Sequence, residues 1–513
     1  MVTTAAWTVL LSVRDLAIAV VILVARLPAQ ALDCKGLASI RLKHTTVTVA
    51  EAIPAGGFQA ANGQGSGNSL SKDLPAFCRV AATLNPTSDS EIRFELWMPA
   101  SGWNGNYEAN GNGGWSGSIS SNTLAAGLRR GYAASMSDLG HQGSSASFVP
   151  GHPEKLDDFG YRAAHEMAVA SKALTSAYYG TAPRLSYWNG CSAGGRSALM
   201  EAQRYPADFD GIVAGAPALN WTGRALLSVW IAQASHKDEA GYIPPSKYPL
   251  IHNAALERCD ALDGAKDGII EDPSRCKFDP GTLECKGSDR PSCLTSAQVA
   301  TSRAIYGPVI NPRTGQPIAP GFERGSEIGW ATMGGPNIFP IGADLFRFIV
   351  YQNVDWDFRT FDFDTGTARA LQAERGVLNA TDPNLKPFLD RGGKLIQYHG
   401  WADPQIAPLT SVQYYNSVIE KLGGLNKVQH GYRLFMVPGM AHCGGGDGTS
   451  SFDMLSAVER WLEKGTAPDR VTAARVREGK VDRTRPLCPY PKIAKYKGVG
   501  SLENAANFDC RMP

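Results

Sequence analysis

Apolar and polar residues alternate over residues 91–98 (EIRFELWM), the period-two pattern of a strand with one buried face. Residues 106–108 and 132–136 read as further short strands, the first running into a glycine-rich loop, Asn110-Gly-Asn-Gly-Gly114. Over 159–179 the period changes: Ala163, Met167, Ala170, Leu174 and Ala177 recur every three or four residues, one face of a helix. A strand at 185–188, a helix through 197–204 and a buried strand at 211–214 follow. Strand and helix in alternation predict a parallel sheet covered on both faces. Periodicity fades after about Pro217. It returns with strands at 394–398 and 433–437 and helices at 411–421 and 451–464. The expected class is α/β, with one core in two pieces, 32–217 and 387–513, around an insertion at 218–386.

The N-terminus has its own pattern. Arg14 precedes an apolar run over 16–25, and Ala29-Gln30-Ala31 has the small-x-small form of a signal-peptidase site. The run is short for a bilayer span. Residues 1–31 are therefore expected to be a signal peptide, and the mature chain secreted or periplasmic with no stable membrane insertion. Ten cysteines without a CxxC pair exclude a zinc ribbon and suit disulfides in an oxidising compartment. A net charge of +2, with Lys and Arg scattered, argues against a nucleic-acid partner. Nothing in the sequence assigns an oligomeric state.

Gly190-Cys191-Ser192-Ala193-Gly194 matches G-x-S-x-G between a predicted strand and a predicted helix, the setting of a nucleophile elbow. A serine hydroxyl needs a base, and in this arrangement an acid and then a histidine follow in chain order. Asp403 follows the 394–398 strand, and His442 follows the 433–437 strand. His399 also follows a strand but precedes the acid. Cys191 adjoins Ser192 and Cys443 adjoins His442, so a serine and histidine that meet would bring two cysteines within bridging range. The Ala193 N–H is the first candidate oxyanion donor, and Gly113 and Gly114 are candidates for the second.

In the insertion, Asp260, Asp263 and Asp267 share a loop with two glycines. That suits a hard cation such as calcium, though the spacing is not that of an EF-hand. Cys259 and Cys276 bracket this loop. Trp330, Phe339, Phe346, Phe348, Tyr351 and Trp356 form a pool for an aromatic pocket. Arg324 or Arg347 could meet a substrate carboxylate.

Gly-Cys-Ser-Ala-Gly-Gly-Arg, His-Gly-Trp-Ala-Asp-Pro, Pro-Gly-Met-Ala-His-Cys-Gly-Gly-Gly and Cys-Asp-Ala-Leu-Asp-Gly-Ala-Lys-Asp-Gly together make the chain resemble the tannase and feruloyl esterase family, which includes a mono(hydroxyethyl) terephthalate hydrolase. The resemblance runs from Cys34 to Cys510. It implies an α/β-hydrolase fold with a lid inserted between nucleophile and acid, a Ser192, Asp403 and His442 triad, and no catalytic cofactor. It further implies structural calcium on the side chains of Asp260, Asp263 and Asp267 and the carbonyls of Ala265 and Ile269. Besides Cys191–Cys443, the implied disulfides are Cys34–Cys78, Cys259–Cys276, Cys285–Cys293 and Cys488–Cys510. The expected partner is a small aromatic ester, of feruloyl or tannin type. A terephthalate monoester and a noncatalytic binding protein on the same fold are the alternatives.

Overall fold

The computed structural model describes residues 31–59 and 72–513. Of the expected signal peptide, 1–31, all but Ala31 lies outside the described residues. Nine strands form the central sheet: β1 (Thr45–Ile53), β2 (Phe77–Leu84), β3 (Ile92–Pro99), β4 (Asn106–Asn110), β5 (Ala133–Ser137), β6 (Leu185–Cys191), β7 (Gly211–Gly215), β8 (Lys394–Gly400) and β9 (Tyr432–Val437). Their spatial order is β1-β2-β3-β5-β4-β6-β7-β8-β9. The first three pairings are antiparallel, and every pairing from β5 to β9 is parallel. This is the α/β-hydrolase fold expected above. Because β6, β7, β8 and β9 run parallel, the C-terminal ends of β6, β8 and β9 lie on one rim.

Helices cover both faces because successive strand residues point to opposite sides. Along β7, Ile212 and Ala214 join one apolar cluster with Ala198 and Leu199 of the helix Ala193–Arg204. Val213 joins another with Val458 and Trp461 of the helix Met454–Lys464. The predicted helix at 159–179 is regular only over Ala163–Tyr179, following a π-helical turn at Asp158–Arg162. The helix expected from 451 begins at Met454, where Asp453 accepts from the Ser456 N–H at 2.8 Å as its N-cap.

The insertion lies between β7 and β8 and is largely helical. The helix Trp221–His236 escaped periodicity analysis because twelve of its sixteen residues are buried, so it has no polar face. Two antiparallel ribbons close the C-terminus, Val471–Arg477 with Lys480–Leu487 and Ile493–Tyr496 with Phe508–Arg511. Five disulfides join Cys34–Cys78, Cys191–Cys443, Cys259–Cys276, Cys285–Cys293 and Cys488–Cys510. Among the described residues no helix is long and apolar enough to cross a membrane.

Candidate active site

Ser192 sits at the corner between β6 and the helix Ala193–Arg204, with φ +63° and ψ −121°. A non-glycine residue holds such a backbone only where its surroundings impose it. Here the Ser192 N–H donates to Gly215 O (2.9 Å), and Ser192 O accepts from Ala218 N (3.1 Å). The turn also demands glycine: a Cβ on Gly190 would fall 2.6 Å from the Gly194 carbonyl. Strand end, half-buried corner and helix N-terminus together form a nucleophile elbow.

Asp403 lies in the loop after β8 and is fully buried. Its Oδ1 accepts from the backbone N–H groups of Gln405 (2.8 Å) and Ile406 (3.0 Å). Its Oδ2 faces His442 Nδ1 at 2.7 Å and His399 Nε2 at 3.2 Å. Burial alone would raise this carboxyl. The charge of His442 and the hydrogen bonds from both histidines outweigh it and hold the group well below the usual carboxylate range. Donating its Nδ1 proton to Asp403 leaves His442 Nε2 free as a base. Backbone bonds from Trp401 N to Val437 O (2.9 Å) and from Ala402 N to Met440 O (3.0 Å) tie the acid loop to the histidine loop. The Cys191–Cys443 bridge, with Cα atoms 6.0 Å apart, ties the histidine loop to the elbow. Ser192, Asp403 and His442 are thus brought to one rim of the sheet.

The loop after β4 runs across the elbow, so close that a Cβ on Gly111 would fall 2.4 Å from Gly194 Cα. Asn112 Nδ2 shapes the loop by donating to the carbonyls of Ser116, Ser118 and Ser137. Among the described residues, no acceptor takes the N–H of Gly113, Gly114 or Ala193. A side chain on Gly113 would project into open space, and one on Gly114 would meet Ile341 of the insertion. The insertion is fastened here: Trp115 Nε1 donates to Ile341 O at 2.9 Å.

Most of the aromatic pool serves the interior of the insertion. Trp330 packs edge-on against Tyr248 and Tyr306, and Phe346 stacks on Trp356. Phe339 differs, since it lies beneath the guanidinium of Arg224 at 4.9 Å. Arg224, which sequence reasoning passed over, is only 6% exposed. Its Nε donates to Gln405 O at 3.2 Å, two residues past Asp403. No carboxylate pairs with it among the described residues, and burial pushes it down to about 10. Its signal in the sequence was the one Lys, Arg, Asp or Glu in a helix that is buried nearly all round. Arg324 stacks on Tyr306 and donates to Phe278 O, both within the insertion. Arg347 has a buried Nε without a hydrogen-bond partner.

In the acidic loop, Asp260 accepts from the N–H groups of Asp267 (3.0 Å) and Gly268 (2.9 Å), and Asp263 from that of Ala265 (3.0 Å). Asp267 pairs with Arg485. Burial, reinforced by the charges of Asp267 and Asp260, pushes the Asp263 carboxyl up to about 6. Among the described residues no three His, Cys, Asp or Glu side chains stand as a group that could hold a metal ion. The donor types fit a hard cation, but Arg485 faces one of them.

The family profile described as Tannase and feruloyl esterase matches residues 78–511. An uncharacterised esterase of Xanthomonas campestris pv. campestris is 40% identical, over 93% of this chain and 91% of its own. A probable feruloyl esterase B-2 of Aspergillus terreus is 35% identical, over 95% and 96% respectively. The crystal structure of feruloyl esterase B from Aspergillus oryzae superposes with a TM-score of 0.88 at 30% identity, covering 93% of this chain and 99% of that one.

Proposed function

The chain belongs to the tannase and feruloyl esterase family of carboxylic ester hydrolases, and from that premise we propose that it is a secreted serine esterase that cleaves aromatic carboxylic esters through Ser192, His442 and Asp403. In this reading His442 Nε2 takes the Ser192 proton as Oγ attacks the acyl carbon. The N–H of Ala193, with that of Gly113 or Gly114, holds the oxyanion. His442 then gives the proton to the departing alcohol, leaving an acyl-enzyme. Water, deprotonated by the same imidazole, releases the acid and restores Ser192. Asp403 holds the tautomer and stabilises the imidazolium. The observation that carries this reading is the 2.7 Å His442–Asp403 bond, on a loop bridged to the elbow by Cys191–Cys443. Five disulfides support export to an oxidising compartment.

A second reading of the substrate rests on Arg224. A buried cation that feels Asp403 only at a distance, with no carboxylate in salt-bridge contact among the described residues, is costly, and an anionic substituent on the substrate would relieve it. That favours a carboxylate-bearing aromatic ester, such as a terephthalate monoester, over a neutral one. We propose calcium in the loop holding Asp260, Asp263 and Asp267, completed by the carbonyls of Ala265 and Ile269. It is supported by three carboxylates on one loop, where the charges of Asp267 and Asp260 add to the burial that raises Asp263, and it requires Arg485 to yield Asp267. The ion would brace the insertion and take no part in ester cleavage. Release of acid from methyl ferulate, methyl gallate and a terephthalate monoester tests the reaction class. Turnover of none of the three would defeat it.

A further inference from the structure

His399 shares the acid with His442 yet has no role in the chemistry above. It lies at the end of β8, with no exposed surface. Its Nε2 faces only acceptors, Asp403 Oδ2 at 3.2 Å and Ile406 O at 3.2 Å, so this nitrogen carries the proton. Its Nδ1 stands 2.7 Å from Ser411 Oγ, on the helix Leu409–Leu422. With Nε2 protonated, Nδ1 accepts and the serine hydroxyl donates. Ser411 therefore holds His399 in the tautomer that points its N–H at the acid. Asp403 Oδ1 is already taken by two backbone N–H groups, so Oδ2 alone serves both imidazoles. The charged and titratable groups facing Asp403 are His442 from the loop after β9, His399 from β8 and Arg224 from the helix Trp221–His236.

We infer that His399 is a positioning residue: it draws on the carboxylate oxygen that His442 uses, limits how tightly Asp403 holds the His442 imidazolium, and so lets Ser192 be activated at lower pH. The inference rests on the triad reading above. A second donor on one oxygen leaves less of its charge to the first. Removing that donor, while Gln405 and Ile406 still anchor Oδ1, should strengthen the hold on His442⁺. The acid limb of kcat/KM then moves to higher pH.

The test is the pH profile of wild type, His399→Leu and His399→Gln, read as kcat/KM on methyl ferulate and as the rate of Ser192 labelling by a fluorophosphonate. Leu removes the donor, and Gln returns an N–H near Nε2. His399→Leu is expected to raise the limb by about 0.5–1 pH unit, the size of one hydrogen bond, with KM changed less than about twofold. His399→Gln is expected to restore most of the shift. An unmoved or lowered limb in His399→Leu, or a Gln variant that behaves as Leu does, overturns the inference. If His399→Leu does not fold, Ser411→Ala carries the test: it frees the tautomer and should move the limb the same way, and an unmoved limb is again fatal. A wild-type chain whose Ser192 resists the probe overturns the triad reading and this inference with it. A labelled wild type with an unmoved variant overturns the inference alone.

Discussion

Cys191 and Cys443 lie 252 residues apart in sequence and 6.0 Å apart in space, each adjacent to a residue of the Ser192 and His442 pair. Closing so long a loop stabilises by about 5 kcal/mol at the upper limit of the chain-entropy argument. Replacing both cysteines by serine is expected to lower the melting temperature and to cut kcat at least tenfold, more than it raises KM, because the bridge orients reacting groups. Steady-state kinetics beside a thermal melt checks this. A variant that melts earlier with kcat intact would make the bridge a staple and nothing more.

Glu108 is one of several buried carboxyls, with Asp138, Glu271 and Glu323, that make stability depend on pH. It is buried on β4, with Oε1 on Asn189 Nδ2 at 3.3 Å and Oε2 without a hydrogen-bond partner. Burial pushes its carboxyl up to about 7. A raised folded-state value means a contribution that is complete below the unfolded value, about 4.3, and lost as pH rises through the folded one. Wild-type stability is therefore expected to decline between pH 5 and pH 8, with Glu108 costing up to about 3 kcal/mol. Glu108→Gln should remove its share and make that decline shallower. Denaturant melts at the two pH values decide it, and parallel declines would contradict the assignment.

Calcium should be visible as stability. Binding to the folded state alone raises the melting temperature with ligand concentration. Chelation is expected to lower it in wild type and to do nothing in Asp263→Asn. A wild-type melt that is the same in calcium and in chelator rules out the site.

Arg224→Met is expected to separate substrates. Loss of a charged hydrogen bond is worth about 1.5–3 kcal/mol, or about 10–150-fold in KM for a terephthalate monoester. Methyl ferulate, without a carboxylate, should change little. Equal effects on both esters would assign Arg224 to the packing of Trp221 and Phe339.

Much of this site was legible because its chemistry is local in sequence. Ser192 sits in a motif, Asp403 and His442 each follow an apolar strand, and Cys191 and Cys443 label their neighbours. β1 and β2 were passed over: β1 alternates exposed with half-buried positions at the sheet edge, a weak signal. The helix Trp221–His236 hid for the opposite reason, being buried nearly all round. Arg224 and His399 are defined by what packs against them, Phe339 and Gln405 for the one, Asp403 and Ser411 for the other. Those partners come from distant elements or from a loop turning back on itself, and no spacing rule reports such a meeting.

In the proposed reaction Ser192 is the nucleophile. Ester release by Ser192→Ala, with its melt and disulfide content matched to wild type, tests it most directly. The expected result is a fall in kcat of about 10⁴-fold or more on every ester the wild type cleaves, with the folded state intact. A folded Ser192→Ala chain that still cleaves those esters at the wild-type rate would contradict the account.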